Sequence, residues 1–411
     1  MARLHSARAA LAVLTGLNLL NYIDRYLASG MLPLISKDLH LGDAASGFLF
    51  SAFIATYVVV SPLAGWLGDR RSRFSLAAVG VLIWSAATFG SGLAPSLAVF
   101  LGVRAVVGVG EASYSVVTPS LLSDFYPPER RGRALAIFYA ALPLGTALGF
   151  GLGGFLGQRF GWRTAFFFAG GPGALLAVAL LFLRDPVRGA FDGPGAMIGD
   201  KLSIGQALSA LWVRRSFFYN TAAQTIYTFT MGGLAVFMPT YLVRERHLTL
   251  TKAGIMFGAV LCTAGFAGTL VGGKLGDRMA ARSPAGHFQL SGWGLISSLP
   301  FTALAILSPH PAIFWPSMGV TLFLLFLNTG PLNASMANVL PATLRSQGFG
   351  VNVVAIHLLG DVLSPPIIGW CSDRVGGLKW PVFGAGMLLV VAGLVLLAGR
   401  SALERDLARA G

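Results

Sequence analysis

Three acids, two arginines and one histidine interrupt otherwise apolar runs of this chain: Asp24, Glu111, Asp361, Arg25, Arg104 and His357. Ionisable groups within an apolar span are costly. Where they occur they face a cavity, pair with one another, and mark a path for ions or substrate. In "NLLNYIDRYLASG" (18–30) Asn18, Asn21 and Arg25 fall at i, i+3 and i+7 on one helical face, with Tyr22 at its border. Asp24 is turned about 100° from Arg25, so the two neighbours reach toward different partners. Arg25 on the asparagine stripe suits an anionic head group, and Asp24 suits a proton held against another helix. In "RAVVGVGEASYS" (104–115) Arg104, Gly108, Glu111 and Ser115 share a face, so Glu111 can meet Arg25 or Asp24. A carboxylate–arginine cluster whose water access changes is a workable proton switch. Protonated, the acid frees Arg25 for an anionic substrate; deprotonated, it takes the arginine back. The alternative is a static ion-pair network that pins two helices together, with Arg104 in a structural role.

His357 and Asp361 stand at i, i+4 and touch on one face. They are a possible second proton site, but the nearby "SPP" favours a helix break with Asp361 capping freed amides. A metal is not expected, because no third ligand has matching spacing. Neutral polar stripes complete the set. Asn220, Gln224 and Tyr227 form one stripe with Thr228 beside it, and Asn328, Asn333 and Asn338 surround a Gly330–Pro331 break. Interrupted helices near the bilayer midplane point to transporter binding sites. Half of these residues are expected simply to hydrogen-bond between helices.

The elements that must position these groups follow from composition. Of 411 residues 55% are hydrophobic and 11% charged, with a mean hydropathy of +0.71. A soluble domain carries about 25% charged residues, so the bilayer is this chain's solvent. Spans of roughly 20 apolar residues are read near 9–36, 44–68, 74–94, 96–125, 132–157, 163–184, 216–243, 252–277, 286–308, 311–341, 346–372 and 379–399. The start, with Arg3 and Arg8 before an apolar run and no clear cleavage site, reads as an uncleaved first span. The formal charge of +14 does not signal nucleic acid, because the basic residues cluster between spans. Of 30 Lys and Arg, two lie deep in spans, 20 on one side and 8 on the other. The rich side is cytoplasmic by the positive-inside rule and holds both termini. Cys262 and Cys371 lie in separate apolar runs and report no redox compartment.

"GWLGDRRSRF" (65–74) and "GGKLGDRMAAR" (272–282) both contain L-G-D-R, about half the chain apart. Arg130, Gly145 and Gly154 are matched by Arg345, Gly360 and Gly369. Two six-helix halves related by duplication follow: an all-α membrane protein with a bundle at 1–185, a linker at 186–215, a bundle at 216–400 and a cytoplasmic tail at 401–411. Within the linker Ser203 and Gln206 form a capping box for a short interfacial helix that ties the halves together.

These residues resemble the major facilitator superfamily. Gly65, Leu67, Asp69, Arg70 and Arg73 match its loop 2–3 motif, and Gly273, Leu275, Asp277 and Arg278 are a partial copy. Arg104, Gly108 and Gly110 look like its helix 4 motif, and Pro143, Gly145, Gly149, Gly153 and Gly154 its helix 5 motif. A narrower resemblance, to the spinster-type transporters, rests on "NYIDRY" (21–26), "GVGEASY" (108–114), "DFYPPERRGRALAIFY" (124–139), "RDPVRG" (184–189) and "HLLGDVLSPPIIGWCSD" (357–373). It implies twelve helices working by alternating access, with helices 1, 4, 7 and 10 lining the cavity. It also implies a lysophospholipid or sphingosine phosphate as substrate and, for bacterial forms, proton coupling. Short loops look bacterial, hence an inner-membrane protein, expected as a monomer with no cofactor beyond the coupling proton. On this reading proton coupling falls to Asp24, Glu111 and Arg25. Substrate binding falls to Arg25, Asn21, Tyr22, Ser115, Gln224, Tyr227 and Asn333. The loop motif implies a cytoplasmic latch of Asp69, Arg70, Arg73, Asp124, Asp277 and Arg278, in which Asp69 meets the positive N-terminus of helix 11 and Arg73 pairs with Asp124.

Rival readings are weaker. "GTLVGGKL" (268–275) has Leu275 where a phosphate-binding loop needs Ser or Thr, and "GFGLGG" (149–154) lacks a surrounding βαβ unit. Gly145, Gly149, Gly153 and Gly157 read instead as a close helix-packing face. "NAS" (333–335) falls within a span, so it is no glycosylation site. A membrane enzyme would need a nucleophile–base pair or a metal set, which six His and two Cys do not supply. A channel fits poorly with a twofold repeat carrying side-specific latch motifs. A proton-coupled symporter of sugar acids or other small organic anions is the alternative transporter.

Overall fold

In the computed structural model, residues 2–188 and 209–410 are described, side chains 2–6, 128–129, 342–343, 345–346 and 410 excepted. The linker around Ser203 and Gln206 lies outside them. Every regular element among the described residues is helical, and none is a strand. The first stretch contains α1 (Ala2–Gly30), α2 (Leu32–Asp38), α3 (Asp43–Arg70), α4 (Arg73–Ser91), α5 (Leu97–Ser115), α6 (Thr118–Phe125), α7 (Pro128–Phe160) and α8 (Trp162–Leu181). The second contains α9 (Arg215–Arg244), α10 (Leu250–Arg282), α11 (Gly286–Leu307), α12 (Pro311–Phe326), α13 (Thr329–Val339) and α14 (Ala342–Ile356). A π turn (His357–Asp361), α15 (Ser364–Val375), α16 (Lys379–Ala398) and α17 (Arg400–Ala410) complete it.

Eleven stretches among the described residues are long and apolar enough to span a bilayer. Helix α1 is the twelfth long element. It falls outside the apolar set because Asn18, Asn21, Asp24 and Arg25 interrupt it, the same groups that give it chemistry. Several spans are built from two pieces: α5 with α6, α12 with α13, and α14 with α15. Pro119 and Pro331 sit in the first turns of α6 and α13, where a missing N–H is tolerated. In the span containing His357 the interruption is a π turn, and Asp361 bonds to the His357 ring rather than to freed backbone amides. The break is therefore a change in helical winding and not a capped gap.

The chain divides into two compact units, residues 1–197 with 235–258, and residues 198–234 with 259–411. In the first unit α7 lies along α1 through a stripe of glycines. A methyl group on Gly145 would sit 2.8 Å from the Leu19 carbonyl oxygen, on Gly149 2.7 Å from that of Ile23, and on Gly153 2.5 Å from that of Leu27. This close approach fixes α1 against α7 at the level of Asp24 and Arg25. Gly153→Leu should therefore destabilise the protein by about 1–3 kcal/mol, the usual effect of overpacking. The check is the melting temperature in detergent, where Gly171→Leu on α8, with nothing within 4 Å of the added Cβ, should change little.

In the second unit Phe217, Phe288, Leu295, Leu332, Met336, Leu389 and Leu396 form the core. The residues after the last span form a helix, α17, that buries Ala402 and Leu403. Its Asp406 accepts from the backbone N–H (2.8 Å) and hydroxyl (2.6 Å) of Ser216, capping the first turn of α9.

Candidate functional site

The first unit gathers four charged side chains in a buried cluster. Arg25 of α1 donates to Glu111 Oε2 of α5 through Nη2 at 2.7 Å and Nε at 3.3 Å. The Glu111 side chain is wholly buried and Arg25 is 13% exposed. Three rings surround the guanidinium: Tyr22 and Phe53 with centroids 5.0 Å from Cζ, and Tyr57 at 5.3 Å. Such contacts hold a cation in a dry site without neutralising it.

Asp24 points the other way round the helix. Its Oδ2 accepts from Thr88 Oγ1 of α4 at 2.8 Å, and the residue is 3% exposed. Arg104, 1% exposed, lies over the Phe53 ring at 5.3 Å, within electrostatic reach of both Asp24 and Glu111. The cluster thus holds two acids and two arginines and is electrically balanced when both acids are ionised. Asn18 donates to the Phe138 carbonyl at 2.9 Å, across to α7. Asn21 is buried beside the pair, and Ser115 is half-buried at the end of α5. Tyr114 anchors α5 to α1 through its hydroxyl, which donates to the Leu14 carbonyl at 2.5 Å.

The second unit carries an amide network. Asn220 donates to the Leu332 carbonyl at 2.8 Å and to Ser335 Oγ at 3.0 Å, joining α9 to α13. Gln224 donates to Asn220 Oδ1 at 2.8 Å, and Asn352 of α14 reaches Gln224 Oε1 at 3.5 Å. Tyr227 and Thr228 lie half-buried on the same helix. Asn328 is buried and donates to the Leu325 carbonyl, whereas Asn333 is exposed and donates to the Thr329 carbonyl at 2.9 Å. Asn338 is also exposed. His357 Nδ1 stands 3.0 Å from Asp361 Oδ2. The π turn carrying them packs tightly on α9: a methyl on Gly232 would sit 2.5 Å from the Asp361 Cβ.

At the loop motif Arg73 Nη2 bonds Asp124 at 2.6 Å and Arg73 Nη1 donates to Ser120 Oγ at 3.2 Å. Asp69 and Arg70 are exposed at the end of α3, and the Arg70 guanidinium lies 4.2 Å from the centroid of the Trp66 ring. Asp277 and Arg278 are exposed near the end of α10. "RDPVRG" braces this loop. Asp185 accepts the amides of Arg73 (2.8 Å) and Phe74 (3.0 Å), capping α4, and Arg188 donates to the carbonyls of Gly68 (2.7 Å) and Arg71 (2.8 Å), closing α3.

Thr88, Phe53, Tyr57 and Asn352 escape the sequence reading, and Asp185 and Arg188 enter it only as part of "RDPVRG", with no role assigned. The two rings leave a weak trace, an aromatic pair at i, i+4 in an apolar span. Thr88 leaves none, since a lone Thr in a span more often bonds its own backbone. No group of His, Cys, Asp and Glu among the described residues could hold a metal ion.

Comparison with known proteins agrees with this architecture. The profile of the Major Facilitator Superfamily matches residues 14–365. Protein spinster homolog 1 of Homo sapiens is 34% identical over 402 residues, covering 92% of this chain and 75% of that one. Protein spinster homolog 3 of Danio rerio is 32% identical, covering 89% of this chain and 77% of its own. A crystal structure of a bacterial homolog to the human lysosomal transporter Spinster, inward-facing and unoccupied, superposes with a TM-score of 0.89 at 24% identity over 98% of each chain. Its inward-facing, occupied form gives 0.84 at 22% identity over 96% of this chain and 97% of that one. The chain belongs to the major facilitator superfamily, within its spinster group. It is a multi-pass integral membrane transporter, not an enzyme.

Proposed function

We propose that this transporter is proton-coupled and moves an amphipathic anion of the lysophospholipid or sphingosine phosphate class by alternating access. The observation that carries the reading is the Arg25–Glu111 bond inside a cage of three rings. A guanidinium fork fits phosphate bidentately, and the surrounding rings offer an apolar wall to an alkyl chain. Charge balance supplies the coupling. The cluster is neutral with both acids ionised, so an anion that takes Arg25 from Glu111 leaves a bare buried carboxylate. That state is strongly unfavourable unless a proton arrives. Substrate anion and proton therefore travel as a pair, with Asp24 on Thr88 as the second carboxyl able to receive one. Asn21, Tyr22, Ser115, Gln224, Tyr227 and Asn333 are the further substrate contacts on this reading, and His357 with Asp361 is a possible second proton site.

The 20-to-8 distribution of basic residues supports cytoplasmic termini, and the short loops support a bacterial inner membrane. The transporter then works as a monomer, without cofactor, in contact with the lipid bilayer and its substrate but not with nucleic acid. A flux screen in proteoliposomes, comparing lysolipids with sugar acids under an imposed pH gradient, tests the reading. Gradient-dependent lysolipid flux is expected, and gradient-dependent uptake of sugar acids alone would replace it with small-anion symport.

The exposed Asp69 is assigned to the cytoplasmic latch, together with Arg70, Arg73, Asp124, Asp277 and Arg278. Asp69→Asn should shift the population toward the inward-open state, because a carboxylate meeting a helix N-terminus stabilises the contact by about 0.3–1 kcal/mol. Spin-label distances between the cytoplasmic ends of the two bundles should lengthen. An unchanged distribution would remove Asp69 from the latch.

A further inference from the structure

The loop motif recurs more often than a half-length repeat requires. "GWLGDR" (65–70) ends α3, "GFLGQR" (154–159) ends α7, "GKLGDR" (273–278) lies near the end of α10, and "GWCSDR" (369–374) lies near the end of α15. Each spaces Gly, Asp or Gln, and Arg identically. Because α4 and α5 with α6 each cross once between α3 and α7, the copies on α3 and α7 end at opposite ends of the first unit. In the α7 copy the acid is replaced by Gln158.

Gln158 is engaged. Its Oε1 accepts from the backbone N–H of Thr251 at 3.0 Å and from its hydroxyl at 2.9 Å. Thr251 opens α10, so its amide is one of those a helix leaves without an internal partner. This is the contact that the loop motif assigns to Asp69, made by a neutral group. Around it, residues 235–258 are closely seated within the first unit. A methyl on Gly154 would lie 2.6 Å from the Leu250 carbonyl oxygen, and on Gly258 2.7 Å from that of Ala147. Phe257 meets Phe150 edge to face with centroids 5.0 Å apart, and Arg244 Nη1 bonds Asp43 at 2.7 and 2.9 Å.

We propose that Gln158 is the catch of a second latch, at the end opposite Asp69, which holds residues 235–258 on α7 and must release during transport. The neutral amide explains how it holds without locking. A carboxylate here would add charge-assisted bonding to the helix N-terminus, whereas an amide makes two ordinary hydrogen bonds.

The test needs no substrate. Phe257, 2% exposed, is changed to Cys in a chain whose Cys262 and Cys371 are Ala, and labelled with a membrane-impermeant maleimide in proteoliposomes. Relative to that background, Gln158→Ala should speed labelling about tenfold, the effect expected from losing these hydrogen bonds, and Gln158→Glu should slow it. Hydrogen exchange of Leu250–Gly258 in the otherwise native chain should follow the same order, which covers the case in which Phe257→Cys fails to fold. Equal rates in all three chains, by either readout, overturn the proposal. Failure of lysolipid flux does not touch it, because no substrate enters the measurement.

Discussion

Glu111→Gln is expected to abolish pH-gradient-driven accumulation while leaving substrate counterflow intact. The glutamine keeps the size of the side chain and loses the titration. Arg25 then stands in the site as a cation that cannot be deprotonated, held by Tyr22, Phe53 and Tyr57 but no longer by a carboxylate. Competition for its fork is gone, so an anionic lysolipid should bind more tightly than to the native protein at neutral pH. The gain is about tenfold, the effect of removing one charge-assisted competitor of roughly 1.5 kcal/mol. Tighter binding with lost coupling is a combination that a merely structural ion pair would not produce. Removing a static pin would lower melting temperature and binding together.

Arg25→Ala should have the opposite signature. The anion loses its fork, and the affinity for an anionic lysolipid should fall about 100-fold, within the 2–5 kcal/mol found when one partner of a buried charged bond is truncated. The fold should tolerate the change, because a carboxyl left alone in a dry site takes up a proton rather than stay charged. Equilibrium binding of a fluorescent lysolipid measures the effect, and a zwitterionic detergent serves as the control whose binding should hardly move. Native affinity in Arg25→Ala would take this residue out of the substrate site.

The architecture was legible in the sequence because the bilayer imposes simple requirements. Spans, their order and the halfway repeat follow from apolar run lengths and from two L-G-D-R copies. The divergence of Asp24 from Arg25 follows from helical spacing alone, and the structure gives each a separate partner, Thr88 and Glu111. The missed features depend on what another helix brings. Phe53 and Tyr57 count as ordinary apolar filling until Arg25 and its neighbours are placed against them. The π turn at His357–Asp361 has no periodic signature, because one extra residue per turn is invisible to hydropathy. Asp185 and Arg188 sit in a loop, where charge reads as topology, although both cap helix ends. Gln158 was hidden for a different reason: a search for acids passes over a neutral copy of an acidic motif.

The proposal that the anion and the Glu111 carboxylate compete for the Arg25 guanidinium, so that each anion bound brings a proton to Glu111, rests on the Arg25–Glu111 bond. It is tested most directly by titration calorimetry of the purified transporter with an anionic lysolipid, in two buffers of different ionisation enthalpy at neutral pH. About one proton should be taken up for each lysolipid bound, and none in Glu111→Gln. Binding to the native protein without proton uptake, or the same uptake in Glu111→Gln, would contradict it.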